Sequence, residues 1–407
     1  MSGATLVVRN IGELATCDPS RGDAPGVVHD AVVAAAGSVI VYAGAAQGMR
    51  DVHVAADAVE VDARGMAAVP GFVDAHTHIV WLGDRGDEYA MRAAGATYEE
   101  IAAAGGGIMS TVRATAAGSL DALAAAARER AARMLRLGTT TVEVKSGYGL
   151  AHDAEVRQLQ AARSLDGDVD LPAVVTTYLP LHAAPPADVS REDFIVSVCS
   201  EGLPLAAPLA RFVDAFCETG AYTVSECEQL LRAARDAGLG LKLHAEQRTH
   251  SGGAALAALM GAASADHLEH ASDDDLRALA QAGTVGVILP GASLVLGGPP
   301  PPGRRLLDAG ATLAIATDCN PGTCYSESMP LMVSLAVALA GVTPAEALVA
   351  ATRGGAAALQ LHDRGVLRPG MRCDLCILDS PHWLDVAYHL GDHPVSTVVR
   401  AGRVAGA

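Results

Sequence analysis

Two hydrophobic patterns divide this chain. Residues 4–8, 31–36, 39–42 and 59–61 are short apolar runs broken by Gly- and Asp-containing turns, with no helical period among them. The same style returns at 365–379 and 395–400. Neither end is long enough for a good core by itself, so the pattern predicts one small β-sandwich domain built from both termini, residues 1–67 plus 364–407. Between them, short apolar runs alternate with Ala/Leu-rich helical stretches, as in parallel βα units. The runs are 68–74, 140–144, 173–178, 212–216, 239–243, 265–268, 285–289 and 312–316, with helices expected at 120–137, 225–237 and 273–282 among others. Eight such units predict an α/β fold, a (β/α)8 TIM-type barrel over residues 68–363, better than they predict an open sheet.

Composition then narrows the function. Half of the 407 residues are hydrophobic, ample for a large core. Lys and Arg number 29 against 46 Asp and Glu, a formal charge of −17. Such a chain has no electrostatic footprint for nucleic acid or an anionic membrane, and an anionic ligand would need a few well-placed basic groups. The first residues do not lead a charged segment into a long apolar one, and the longest apolar run, 331–342, is too short to span a bilayer. A soluble, cytoplasmic protein is expected. Cys373 and Cys376 are the only close pair among eight cysteines; a zinc ribbon needs a second pair, so both are read as core residues of a late strand. Gly105-Gly106-Gly107 lacks the spacing of a dinucleotide fingerprint.

The polar clusters follow the predicted strands, where barrel enzymes place their chemistry. The first strand leads into Asp74-Ala75-His76-Thr77-His78, and side chains two apart in an extended segment face one ion. The fifth ends at His244, the sixth carries Asp266-His267-Leu268-Glu269-His270, and the eighth ends at Asp318. One such residue is ordinary; all of them in this order at one face point to a metal.

These motifs resemble the amidohydrolase superfamily. Several segments are closer still to its imidazolonepropionase family: His76 to Arg85, Gly105 to Arg113, Val142-Glu143-Val144-Lys145-Ser146-Gly147-Tyr148, Leu243 to Gln247, and Thr317-Asp318-Cys319-Asn320-Pro321-Gly322-Thr323. Carried over residue by residue, the resemblance implies one Zn or Fe ion per chain held by His76, His78, His244 and Asp318, and a homodimer. A two-metal relative usually needs a bridging Lys on the fourth strand, and 212–218 has none. Lys145 follows the second strand, so a structural role, or one behind the ligands, is expected of it.

An ion with three His and one Asp keeps a position open for water. Asp318 is expected to take the proton of the attacking water and pass it to the leaving nitrogen. His267 is the choice to bond that water or the oxyanion, with His270 competing. Gln247 stands where related hydrolases often have a proton-carrying Glu; an amide carries no proton, so it is expected only to bond the substrate ring. The implied substrate is small and anionic, 4-imidazolone-5-propanoate, hydrolysed at its ring amide to N-formimidoyl-L-glutamate. Arg85 offers a fork for the propionate, and Tyr148, His182, Asn320 and the Gly322–Thr323 backbone offer hydrogen bonds. Arg113 is a second basic partner or a solvated helix residue. Two rivals stay open: a mononuclear deaminase of purines or pyrimidines, which needs no arginine clamp, and a metal-free scaffold, against which the four ligand-type residues speak.

Overall fold

The computed structural model describes residues 3–96, 100, 104–185 and 189–406. Strands from both ends of the chain meet in one sheet. β1 (Ala4–Ala15), β2 (Val27–Ala36), β3 (Val39–Ala45), β4 (Val54–Asp62) and β5 (Ala68–Pro70) are joined by β14 (Leu375–Leu378), β15 (Val395–Arg400) and β16 (Arg403–Val404). The order is β16-β15-β14-β5-β1-β2-β3, with β4 beside β1. Leu6, Val8, Ile11, Val33, Ile40, Leu375 and Ile377 share its core. Cys373 and Cys376 are buried free thiols of this late segment.

Eight parallel strands follow one another around the centre: β6 (Phe72–Asp74), β7 (Thr139–Lys145), β8 (Ala173–Leu181), β9 (Phe212–Cys217), β10 (Gly240–Ala245), β11 (Ser264–His267), β12 (Val285–Ile288) and β13 (Leu313–Ile315). Between β13 and β6 no ladder forms among the described residues. The seam is closed instead by the bridge Thr77–Cys319, by Asp318 N–H donating to His76 O, and by Asp74. The Asp74 carboxylate accepts from Thr317 N and Oγ1 at 3.0 and 2.6 Å. Helical residues 344–358 pack on this seam, with Gly354 against the Leu313 carbonyl and Gly355 against that of Val73.

One expected strand is divided. Residues 68–74 read as a single run entering the barrel, yet Ala68–Pro70 pairs with β1 and β14, and only Phe72–Asp74 pairs with β7. Both halves are buried, and residues 68–73 hold no charged or hydrogen-bonding side chain, so the pattern carries no break at the switch. The switch falls at Gly71, where a Cβ would overlap Thr140.

Several helices start at polar caps. Thr223 and Glu226 form a capping box for Val224–Asp236, and Ser272 and Asp275 one for Asp273–Ala282, which stops at Gly283 with φ 72°. Arg130, buried in the helix Leu120–Arg136, donates to the carbonyls of Ile79 and Trp81 and stacks 3.4 Å over the Trp81 ring, fixing the path beyond His78. No helix among the described residues is long and apolar enough to cross a membrane.

Candidate active site

Two strand ends bring three histidines together. His76 and His78, just past β6, have ring centroids 5.2 Å apart, and His244 near the end of β10 lies 4.4 Å from His76. One nitrogen from each of the three falls within 4.8 Å of the others, and all three residues are buried. Asp318 brings Oδ1 to 3.5 Å from His76 Nε2 and 3.6 Å from His78 Nε2. It does so from the left-handed region, at φ 51°, a conformation costing a non-glycine residue about 1–3 kcal/mol. The turn beyond it holds that geometry: Asn320 Nδ2 donates to Asp318 O at 2.7 Å, and Thr323 Oγ1 donates to Asp318 Oδ2 at 3.3 Å.

These donors fit a transition ion. His76 Nε2, His78 Nδ1 and His244 Nε2 are enclosed without a hydrogen-bond partner, a costly state for a buried polar atom. Burial holds the pKa of His76 and His78 well below the ordinary histidine value, so both present neutral lone pairs. Burial pushes Asp318 up to about 8, against hydrogen bonds from Asn320 and Thr323. A neighbouring cation favours the carboxylate instead. Three imidazoles and a carboxylate suit Zn and Fe alike.

Behind the ligands lies a charged floor. His76 Nδ1 meets Asp266 Oδ2 at 2.6 Å and His244 Nδ1 meets Asp214 Oδ2 at 2.9 Å, contacts that orient a ligating ring. Lys145 Nζ reaches Asp214 at 2.8 Å, Glu143 at 3.0 Å and Asp266 at 3.4 Å. Lys242 Nζ donates to Ala75 O at 2.8 Å and Glu143 Oε2 at 2.9 Å. All five charged residues are fully buried. Burial by itself would raise Asp214, but His244 and Lys145 beside it hold it well below the carboxylate range. Burial would lower Lys145, and its three carboxylates raise it instead. Lys145 therefore sits behind the candidate ligands.

The rim gathers most of the expected binding residues. His182 stacks on His78 at 4.9 Å and 7° and approaches Gly147 O through Nδ1 at 3.0 Å. Burial and the nearby His244 bring its pKa down to about 3. The buried Tyr148 ring lies 5.8 Å from His78 and 5.4 Å from His182. Arg85 Nε donates to Glu88 Oε2 at 2.9 Å, its Nη2 pairs with Glu88 Oε1, and Nη1 lies so close to Gly322 that any side chain there would overlap it. Arg92 Nη1 donates to Gly322 O at 3.3 Å. The Gly322 and Thr323 N–H groups are bonded to Asn320 Oδ1, both at 2.8 Å, so here the Asn320 side chain braces the turn. Gln247 sits partly exposed in the loop after β10. Its neighbour Glu246 accepts from the N–H groups of Ser251, Gly252 and Ala254, holding the loop.

Of the two competing histidines, His267 joins the group, with its ring 5.4 Å from His76 and 5.3 Å from His244. His270 is partly exposed, and its backbone N–H donates to Glu246 O at 2.8 Å. Arg113 is exposed and bonds Gly105 O. The sequence reading gave no role to Glu88, Arg92, Lys242 and Asp214, nor to Asp266 and Glu269 within the strand-six cluster. A signal existed for one of them: Lys242 stands two before His244 in an otherwise apolar buried strand, as Glu143 stands two before Lys145 on β7, and such charges are sustainable only when paired.

Comparison with known proteins adds to this geometry. Residues 67–405 match the amidohydrolase family. An imidazolonepropionase of Rubrobacter xylanophilus is 45% identical over 421 aligned positions, 99% of this chain and 99% of that one. One from Deinococcus deserti is 50% identical over 343, 84% of each. Among solved structures, an adenosine deaminase from Xanthomonas campestris with bound zinc is similar at a TM-score of 0.75 and 22% identity, covering 99% of this chain and 93% of that one. A triazine hydrolase variant is similar at 0.73 and 20%, covering 98% and 94%. These last two likenesses show the fold.

Proposed function

Since the chain belongs to the amidohydrolase family, and within it is 43–50% identical to imidazolonepropionases over most of its length, we propose that it hydrolyses 4-imidazolone-5-propanoate to N-formimidoyl-L-glutamate. His76, His78, His244 and Asp318 would hold one Zn or Fe ion per chain. Such an ion, when bound, acidifies a water to near neutrality and offers positive charge to a developing oxyanion. Asp318 accepts a proton as the water attacks the ring carbonyl, and returns it to the ring nitrogen as the C–N bond breaks. His267 hydrogen-bonds the same water. Tyr148, His182 and Gln247 line the ring, the 320–323 turn steadies Asp318, and the Arg85 fork receives the propionate. The resemblance also supports a homodimer working in the cytoplasm.

The observation that carries this reading is the neighbourhood of a four-residue ligand set and a guanidinium: Asp318 and Arg85 meet at one turn, through Thr323 and Gly322. A deaminase of neutral bases has no use for that guanidinium. The test follows ultraviolet absorbance of imidazolonepropionate with the metal-loaded protein, beside ammonia release from adenine and cytosine. Loss of absorbance with formimidoylglutamate as product is expected. Ammonia release without it would favour the deaminase.

A further inference from the structure

At the end of β11, two buried atoms face each other without a hydrogen-bond partner. They are His267 Nδ1 and Glu269 Oε2, 3.9 Å apart, on side chains almost wholly enclosed. Other buried glutamates nearby are well bonded: Glu246 and Glu155 each accept from three backbone N–H groups. Glu269 has one anchor, Ser293, whose hydroxyl donates to Oε1 at 2.6 Å from the helix Pro290–Leu296. The backbone between the two residues is unusual. His267 and Leu268 are consecutive left-handed residues, at φ 82° and 74°, each costing about 1–3 kcal/mol. That double bend accompanies a side-by-side placement of two side chains two residues apart, while the imidazole also faces His76 and His244.

The geometry points to Glu269 as a positioning residue: its Oε2 accepts from His267 Nδ1–H and so keeps the Nε2 lone pair available to the attacking water. The two nitrogens of a neutral imidazole cannot both accept, and the bond made by one sets the role of the other. Water brings two protons to this place. Asp318 takes one, and His267 Nε2 holds the other and with it the water's orientation. The Gln247 amide can accept a hydrogen bond but carries no proton, so it does not replace an imidazole there. Closing 3.9 Å to about 2.8 Å takes roughly 1 Å of side-chain movement, and catalytic hydrogen bonds are often long before substrate binds. This inference rests on the hydrolytic reading, but the tautomer it asserts exists without substrate.

Zinc-loaded protein labelled with 15N-histidine reports that tautomer directly. Resonances of His267 are assigned by their loss in His267→Asn. Wild type is expected to carry its proton on Nδ1, with Nε2 bare. Glu269→Leu should lose this preference, with kcat falling about ten- to a hundredfold while KM and metal content hold. Glu269→Gln, whose amide oxygen still accepts, should keep the tautomer and recover part of the rate. A proton on Nε2 in wild type, or a tautomer unmoved in Glu269→Leu, would overturn the assignment whatever the rates. If Glu269→Leu does not fold, the wild-type and Glu269→Gln spectra decide alone. A protein with the Nδ1–H tautomer that leaves imidazolonepropionate untouched refutes the substrate and leaves the pair standing.

Discussion

The Arg85 guanidinium is divided between two neighbours. One edge holds Glu88, which also accepts from Gly107 N at 2.8 Å, and Nη1 remains beside Gly322. Burial would raise Glu88, but Arg85 and the Gly107 N–H hold its pKa below the ordinary value, so it stays charged. A propionate arriving here meets a fork already half engaged, with Arg92 close by. Arg85→Ala should therefore raise KM and lower kcat/KM by about one to three powers of ten, and Arg85→Lys should recover only part, since an ammonium loses the planar fork. Steady-state kinetics on an analogue lacking the carboxylate complete the test: Arg85→Ala should then make little difference. An equal loss on both substrates would mean that Arg85 supports the loop and does not hold the carboxylate. Asp318→Asn should nearly abolish turnover, because it removes both a ligand and the proton acceptor.

Strands carry the deeper dependence. β7, β9, β10 and β11 each send charge inward, so that three carboxylates and two ammonium groups share one enclosed space. Lys145→Met leaves Glu143, Asp214 and Asp266 with Lys242 as the remaining cation of that group, and should cost about 3–5 kcal/mol in urea unfolding. Little change would show the network to be dispensable. The seam between β13 and β6 depends on small residues, and Gly355→Val should cost about 1–3 kcal/mol by driving a side chain into the Val73 carbonyl. A lower thermal midpoint would register it. Much of this level was legible in the sequence. Seven of the eight barrel strands and the helices around 120–137, 225–237 and 273–282 stand where periodicity places them, because tertiary packing here follows local pattern. His76, His78, His244, His267 and Asp318 were legible by falling at strand ends. Arg92 and Glu269 were not, because one matters through a neighbour distant in sequence and the other through a backbone bend, neither of which leaves a periodic trace. The division at Gly71 was hidden for the same reason: a run buried on both sides of the switch looks continuous.

At the scale of the molecule, the terminal sheet and the barrel share their interior. The main core takes in Ala15, Cys17, Cys376, Leu378 and Val398 from the two terminal segments. Residues 68–363 expressed alone should thus show no cooperative unfolding transition, whereas a sharp one would mark an independent barrel. The same continuity leads from β5 through Gly71 and β6 straight to His76, so the ligand set is anchored in both parts of the fold. In a chain of charge −17, anionic substrate approaches against the overall field and is met by a few local cations, which places the burden on the site itself. Hydrolysis at one metal ion is tested by titrating metal-stripped protein with Zn or Fe while imidazolonepropionate consumption is followed. Activity should rise linearly and level off at about one equivalent per chain, with none in the stripped protein. A break near two equivalents, or full turnover before any metal is added, would rule out hydrolysis at a single ion.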